Sequence, residues 1–216
     1  MRSRDSRDSW ENMAMSDAIT SGNFTFSDTS IEGVKIVDVK TYGDARGYFM
    51  ETYKQPDFEA GGIGCTFVQD NQSSSTRGVL RGLHFQMQHP QSKLVRVVSG
   101  RVFDVAVDLR KGSETYGKWE GVVLSAENRR QFFIPRGFAH GFLVLSDTAE
   151  FCYKCDDVYR HGDEGGLMWN DPEIGIEWPA LEGDSVLDDS QLVLSEKDKR
   201  HPSLARLKDI GCLMHQ

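Results

Sequence analysis

From about Gly33 to Asp157 the chain is a succession of short apolar runs broken by turn residues. The clearest is VFDVAVDL, where Phe103, Val105, Val107 and Leu109 alternate with Asp104, Ala106 and Asp108. Alternation with a period of two predicts a strand, because successive side chains point to opposite faces. KLVRVV precedes it, and Ser99-Gly100 between the two runs predicts a hairpin turn. VKIVDVKTY, GYFMETY, CTFVQDN, WEGVVL, RQFFI, GFLVLS and AEFCYK predict further strands. Many short strands with Gly-rich connections imply a sandwich or a closed barrel. Alternation alone leaves two places open for Asp104 and Asp108, a solvated outer face or the polar lining of a barrel cavity.

The pattern changes after Asp157. YRHGDEGGLMWNDPEIGIEWPALEGD is rich in Gly, Asp and Pro and predicts mostly loop. PSLARLKDIG predicts a short helix with Pro202 in its first turn, Leu204, Leu207 and Ile210 on roughly one face, and Gly211 at its end. At the other terminus, residues 1–22 alternate charges without an apolar centre, so they predict a disordered extension rather than a secretory signal. Residues 23–216 then form a single domain, the number that a chain of this length cores well.

Composition narrows the function. Lys plus Arg is 25 against 33 for Asp plus Glu, a formal charge of −8, which argues against a general nucleic-acid binder. A single small anion remains compatible, because a pocket can be basic inside an acidic protein. No apolar run approaches the ~18 residues of a membrane span, so a cytoplasmic protein without membrane partners is expected. The cysteines, Cys65, Cys152, Cys155 and Cys212, are too few for a disulfide scaffold. Cys152 and Cys155 lie three apart in a strand-like run, hence on opposite faces, and read as structural thiols rather than a zinc or redox pair.

Three segments carry candidate chemistry: RGLHFQMQHPQSKLVRV, IPRGFAHGFLVLSDTAEFCYK and LSEKD. PRGFAH matches the second half of the cupin barrel signature, and the first half falls around GLHFQMQHPQSKLVRVVSG. Metal-binding cupins carry His-x-His in that first half, whereas here Gln86 stands two after His84. His84 and His89 are five apart and cannot share a strand face. Metal sites need convergent ligands, so a metal-free pocket is expected. By residue type alone, Tyr153 reads as core packing, Asp198 as part of a Ser195–Asp198 capping box, Lys93 and Arg46 as solvated charges, and His89 as a surface histidine before Pro90.

The ordered run from RGLHFQ through KLVRVVSGRVFDVAVDLRKGSETYGKW, IPRGFAHGFLVLSDTAEFCYK and WNDPEIGIEWP to LSEKD resembles the dTDP-4-dehydrorhamnose 3,5-epimerase family over about Gly33 to Asp198. The resemblance implies a mainly β fold, a cupin-type jelly-roll barrel with short peripheral helices, acting as a homodimer. The implied substrate is a dTDP-linked 4-keto-6-deoxy sugar, inverted at C3 and C5 without metal or redox cofactor. By position it implies His84 as general base, Asp198 as its partner, Tyr153 as proton donor and Lys93 near the sugar carbonyl. Implied substrate contacts are Arg46, Glu51, Gln69, Asn71, Arg81, His140, Glu164 and Lys197, with the Arg46–Glu51 segment reaching over from the partner subunit. The chain departs from the family pattern in its N-terminal extension and in the longer PALEGDSVLDDSQLV loop before LSEKD. Epimerases acting at one carbon, metal-dependent cupin oxygenases and inactive sugar-nucleotide binders are the competing readings.

Overall fold

The computed structural model describes residues 16–181 and 184–209. Two antiparallel sheets face each other, with strands numbered in chain order. The larger runs β1 (Ser16–Ser21), β2 (Phe24–Asp28), β3 (Lys35–Val39), β11 (Gln131–Ile134), β8 (Lys93–Ser99), β13 (Thr148–Cys155) and β6 (Gln69–Thr76). The smaller runs β10 (Trp119–Ser125), β9 (Arg101–Asp108), β12 (Phe138–Val144), β7 (Leu80–Gln86) and β14 (Glu164–Gly166). Sequence neighbours repeatedly fall in opposite sheets, and the result is the jelly-roll barrel expected from the sequence. A separate hairpin of β4 (Tyr42–Asp44) and β5 (Gly47–Phe49) stands out from the body with Tyr42, Tyr48 and Phe49 exposed.

Three apolar layers explain why so many positions are buried on both faces of a strand. Val95, Ala106, Leu124, Phe132, Phe142 and Phe151 fill the space between the sheets. The outer face of the smaller sheet packs Phe103, Val105 and Val107 against Trp169, Leu204 and Leu207 of the C-terminal segment. The outer face of the larger sheet packs Phe24, Phe26 and Phe133 against Phe58 of α1 (Gln55–Ala60). Asp104 and Asp108 are therefore fully buried, and neither lies on a solvated outer face. Asp104 faces the interior beside His140, while Asp108 is closed off by Arg110, Ser113 and Thr115.

Several boundaries differ from those expected. Residues 16–21 lie within the expected extension but pair as β1 with β2, so ordered sheet begins before residue 23. Residues 1–15 are outside the described residues, as are Ile210, Gly211 and Cys212. The strand expected at CTFVQDN starts only at Gln69 and continues through polar QSSST to Thr76. Among the described residues it is an edge strand paired only with β13, so it needs no apolar pattern, and Asp70–Ser73 of it line the cavity. The expected loop after Asp157 contributes the short strand β14, and the terminal helix is α2 (Leu204–Asp209), which begins two residues after Pro202 rather than including it in its first turn, and which buries Leu204 and Leu207 of the expected face.

β7 and β12 cross unusually closely. His140 sits opposite His84 in their pairing, and the register slips just beyond it. A Cβ on Gly82 would lie 2.6 Å from Gly141 Cα, and one on Gly141 would lie 2.6 Å from the Arg81 carbonyl oxygen. Only glycine permits that approach, and Gly82 also has φ of 129°, which L side chains rarely adopt.

Candidate active site

Between the sheets opens a cavity of about 840 Å³ with an adjoining lobe of about 350 Å³. Asn71, His84, Lys93, Tyr153, Glu164 and Lys197 line both, which makes them one cleft. The two sheets contribute differently. His84 comes from β7 in the smaller sheet, whereas Lys93 of β8 and Tyr153 of β13 face it from the larger one. Asn71 pairs opposite Tyr153 and Cys155 opposite Lys93, so ladder register fixes their depth along the cleft.

Asp198 arrives by a different route. The chain after the long loop is stitched alongside β7, with Leu80 N donating to Val193 O (3.1 Å) and Val193 N to Gly78 O (2.8 Å). A 3-10 turn at Asp198–Arg200 follows. Ser195 Oγ accepts from Asp198 N at 3.1 Å, so half of the expected capping box is present. The Asp198 carboxylate does not complete it, because it turns inward to His84 Nε2 at 2.6 Å. His84 is 41% exposed at the side chain and Asp198 4%, which leaves an open imidazole on a dry carboxylate. Burial works to raise the Asp198 carboxyl, but hydrogen bonds from His201 and His84 outweigh it and hold it well below the usual carboxylate range. An ionised carboxylate only accepts, so Nε2 of His84 carries the hydrogen.

A second imidazole–carboxylate pair lies deeper. His140 Nε2 is 3.1 Å from both oxygens of Asp104, and its ring stacks on Phe151. Burial pushes Asp104 up and His140 down, each countered by the other. Burial also lowers Lys93, with Cys155 and Asp104 pulling the other way. Tyr153 is raised by burial and by neighbouring Cys155, against the opposing pull of Arg81. Each of these shifts favours the neutral form, which is the form a phenol needs in order to donate a proton.

The cleft gathers most of the expected binding residues. Gln69 and Asn71 are bonded to each other on β6, and Gln69 Oε1 accepts from Tyr159 N at 2.8 Å. Arg81 rests on Ser75 Oγ at 3.0 Å at the edge of the larger lobe. Glu164 and Lys197 form an ion pair at the rim, which holds Glu164 below its ordinary value. Arg46 and Glu51 do not join them within this chain. Arg46 is turned onto Asp44 at the tip of the exposed hairpin, and Glu51 accepts from Asn23.

Gln86, at the position where metal-binding cupins have their second histidine, is bonded through both amide atoms: Oε1 accepts from Arg160 N at 2.7 Å and Nε2 donates to His89 O at 3.0 Å. His89 itself is a half-exposed histidine held by Asp163. Cys65 and Cys155 are pushed up to about 11, chiefly by burial, in keeping with inert thiols.

Sequence reasoning missed Asp104, Tyr159 and His201. Asp104 had a signal, an acidic residue on the inward parity of a strand, which alternation left undecided. Tyr159 had none. His201 stands three after Asp198, a spacing that puts two side chains on one face of a tight turn. His84, Asp198 and His201 each present a ligand atom within 4.8 Å of the others, a grouping able to hold a cation.

Residues 28–206 match the family model described as dTDP-4-dehydrorhamnose 3,5-epimerase. The chain is 56% identical over 176 residues to the dTDP-4-dehydrorhamnose 3,5-epimerase of Methanothermobacter thermautotrophicus, covering 82% of this chain and 92% of that one. It is 40% identical over 185 residues to a dTDP-4-dehydrorhamnose 3-epimerase of Streptomyces niveus, covering 85% of each. Among solved structures, the dTDP-6-deoxy-D-glucose-3,5-epimerase of Legionella pneumophila Philadelphia 1 in complex with dTDP-4-keto-L-rhamnose superposes with a TM-score of 0.81 at 48% identity, over 89% of this chain and 98% of that one. With a match over nearly the whole described chain, this protein belongs to the dTDP-4-dehydrorhamnose 3,5-epimerase family and is an epimerase, an enzyme of the isomerase class.

Proposed function

We propose that the chain inverts C3 and C5 of dTDP-4-dehydro-6-deoxy-D-glucose, giving dTDP-4-dehydro-L-rhamnose, by proton transfer through an enolate and without a metal or redox cofactor. The observation that carries this reading is the 2.6 Å His84–Asp198 contact on one sheet of a cleft whose other sheet presents Lys93 and Tyr153. A carbon beside a ketone is epimerised by removing its proton on one face and returning one on the other. A base and an acid on facing sheets suit that demand.

In this reading Nε2 of His84 is committed to Asp198, so Nδ1 takes the proton from carbon. Asp198 then stabilises the imidazolium, as the acid member of a catalytic triad does. The electrons pass into the C4 carbonyl, whose oxygen becomes an enolate stabilised by a hydrogen bond from Lys93. A donor aimed at such an oxygen contributes roughly 10²–10³-fold. Tyr153 returns a proton to the opposite face of the same carbon. Arg81 and the Glu164–Lys197 pair lie where the nucleotide part enters, and guanidinium groups bind phosphate through paired donors. Gln86, whose amide bonds Arg160 N and His89 O, supplies no imidazole where metal-binding cupins have their second histidine, which supports a site without a bound metal.

We further read the protein as a cytoplasmic homodimer in which Arg46 and Glu51 complete the partner's cleft. An outward hairpin carrying Tyr48 and Phe49, 57% and 65% exposed, fits a segment that finds its contacts on another subunit. No described helix is long and apolar enough to cross a membrane.

Incubation with the keto sugar nucleotide in deuterated water, followed by NMR, tests the activity. Deuterium at both C3 and C5 is expected, and none at either carbon overturns the reading. The Streptomyces niveus relative supports a second possibility, inversion at C3 alone, for which deuterium and inversion would be confined to C3.

A further inference from the structure

Asp198 serves two imidazoles through a single oxygen. His84 Nε2 approaches Oδ1 at 2.6 Å, and His201 Nε2 approaches the same Oδ1 at 3.2 Å. The two rings stand nearly perpendicular, at 78° and 5.5 Å between centroids. His201 is buried and lines no part of the cleft. It borders an adjoining depression with Met87, Gly166, Arg200 and Leu207, which shares Glu164, Gly165 and Lys197 with the smaller lobe of the cleft. A Cβ on Gly166 would lie 2.1 Å from the His201 ring, so the imidazole is pressed flat onto the β14 backbone and has little room to turn.

We propose that His201 is a positioning residue for the epimerisation, acting through Asp198 to set how strongly His84 holds a proton. The proposal rests on the reading of His84 as the base. An acceptor oxygen shared between two N–H donors has its charge drawn toward both. Each donor then receives less stabilisation than it would alone, so loss of the His201 donor should tighten the hold of Asp198 on a protonated His84. Charged groups around the three include Glu164 on β14, His140 on β12, Lys93 on β8, and Glu196, Lys197, Lys199 and Arg200 in and beside the turn. Lys197 is paired with Glu164, and Lys199 and Arg200 with Glu196 at 2.8 and 3.2 Å, which leaves the balance at Oδ1 chiefly to the two imidazoles.

The test compares His201→Phe, which keeps a ring against Gly166 without a donor, with His201→Gln, whose amide can restore one. The readout is kcat/KM with the keto sugar nucleotide from pH 5 to 9, with the melting temperature measured alongside. His201→Phe is expected to move the acid limb upward by about one pH unit, roughly a tenfold loss on the acid side, with little change at high pH. His201→Gln is expected to keep the wild-type limb. An unmoved limb in His201→Phe overturns the proposal, as does an equal loss at every pH in both variants with lowered melting temperatures. Long-range ¹H–¹⁵N spectra of the wild-type protein give a test that needs no variant: both rings should carry their hydrogen on Nε2, and a His201 hydrogen on Nδ1 refutes the shared acceptor. Failure of the underlying base assignment shows separately, as an active His84→Ala enzyme.

Discussion

His84 and Asp198 are separated by 114 positions in the chain, yet Nε2 and Oδ1 meet at 2.6 Å. The approach depends on the bonds that lay Val193 against Gly78 and Leu80, because they fix the phase in which the following turn presents its carboxylate. Replacing Asp198 with Asn keeps the size of the side chain but removes the acceptor charge, and the amide can also hold the ring in the wrong tautomer. Turnover should fall by roughly 10²–10⁴-fold. His84→Ala should abolish carbon-bound proton exchange while leaving nucleotide binding in place. NMR exchange assays and calorimetric titration with dTDP check the two statements; an active His84→Ala protein would refute the base assignment.

The same carboxylate has a signature in folding. Its folded-state value lies below the ordinary 3.8, so its contribution to stability is fully present above that value. The contribution is lost progressively as pH falls below it. Urea unfolding at pH 7 should find Asp198→Asn less stable by about 1.5–3 kcal/mol, the range for a hydrogen bond to a charged group. That difference should narrow as the pH is taken from 4 toward 2. A gap that stays constant over this range would mean that the ionised carboxylate is not the source of the stability.

Tyr153 and His84 come from opposite sheets, and the proposal gives them separable tasks. Tyr153→Phe removes the proton donor but leaves the base, so deuterium should still exchange at the face that His84 reaches while inversion slows by about 10²-fold or more. The two rates are read from one NMR experiment in deuterated water. Equal slowing of exchange and inversion would assign Tyr153 to substrate placement instead.

Much of the barrel was legible because its strands are cut from alternating or continuously apolar runs, as at Val102–Asp108 and Phe138–Val144. What escaped had a common physical cause. β6 is polar along its length because it is an edge strand lining a wet cleft, and β14 is three residues of Glu and Gly pinned by pairing with β7. In neither case does local pattern signal the pairing. His84, Lys93, Tyr153 and Asp198 were named through family resemblance, since residue types alone favoured structural readings, a lone strand histidine included. Asp104 stayed undecided between two faces and His201 went unnamed, because their importance lies in contacts with other side chains, which only the folded chain brings together.

Lys93 separates stability from activity. Burial presses its ammonium toward the neutral form, so the fold bears a desolvation cost to keep a lysine where β8 enters the cleft. Methionine matches its length without the charge, and sites built for chemistry are commonly sites where the fold would be steadier with another residue. Lys93→Met should therefore be at least as resistant to urea as the wild type while losing about 10²–10³-fold in kcat, the contribution of one donor at an oxyanion. Lys93→Arg should not restore the rate, because the wider guanidinium must fit beside Cys155 in a register fixed by the β8–β13 ladder. Stopped-flow or NMR assays of both variants, with unfolding curves beside them, decide the matter. A Lys93→Met enzyme that keeps its turnover would remove lysine from the carbonyl and leave enolate stabilisation to another group in the cleft.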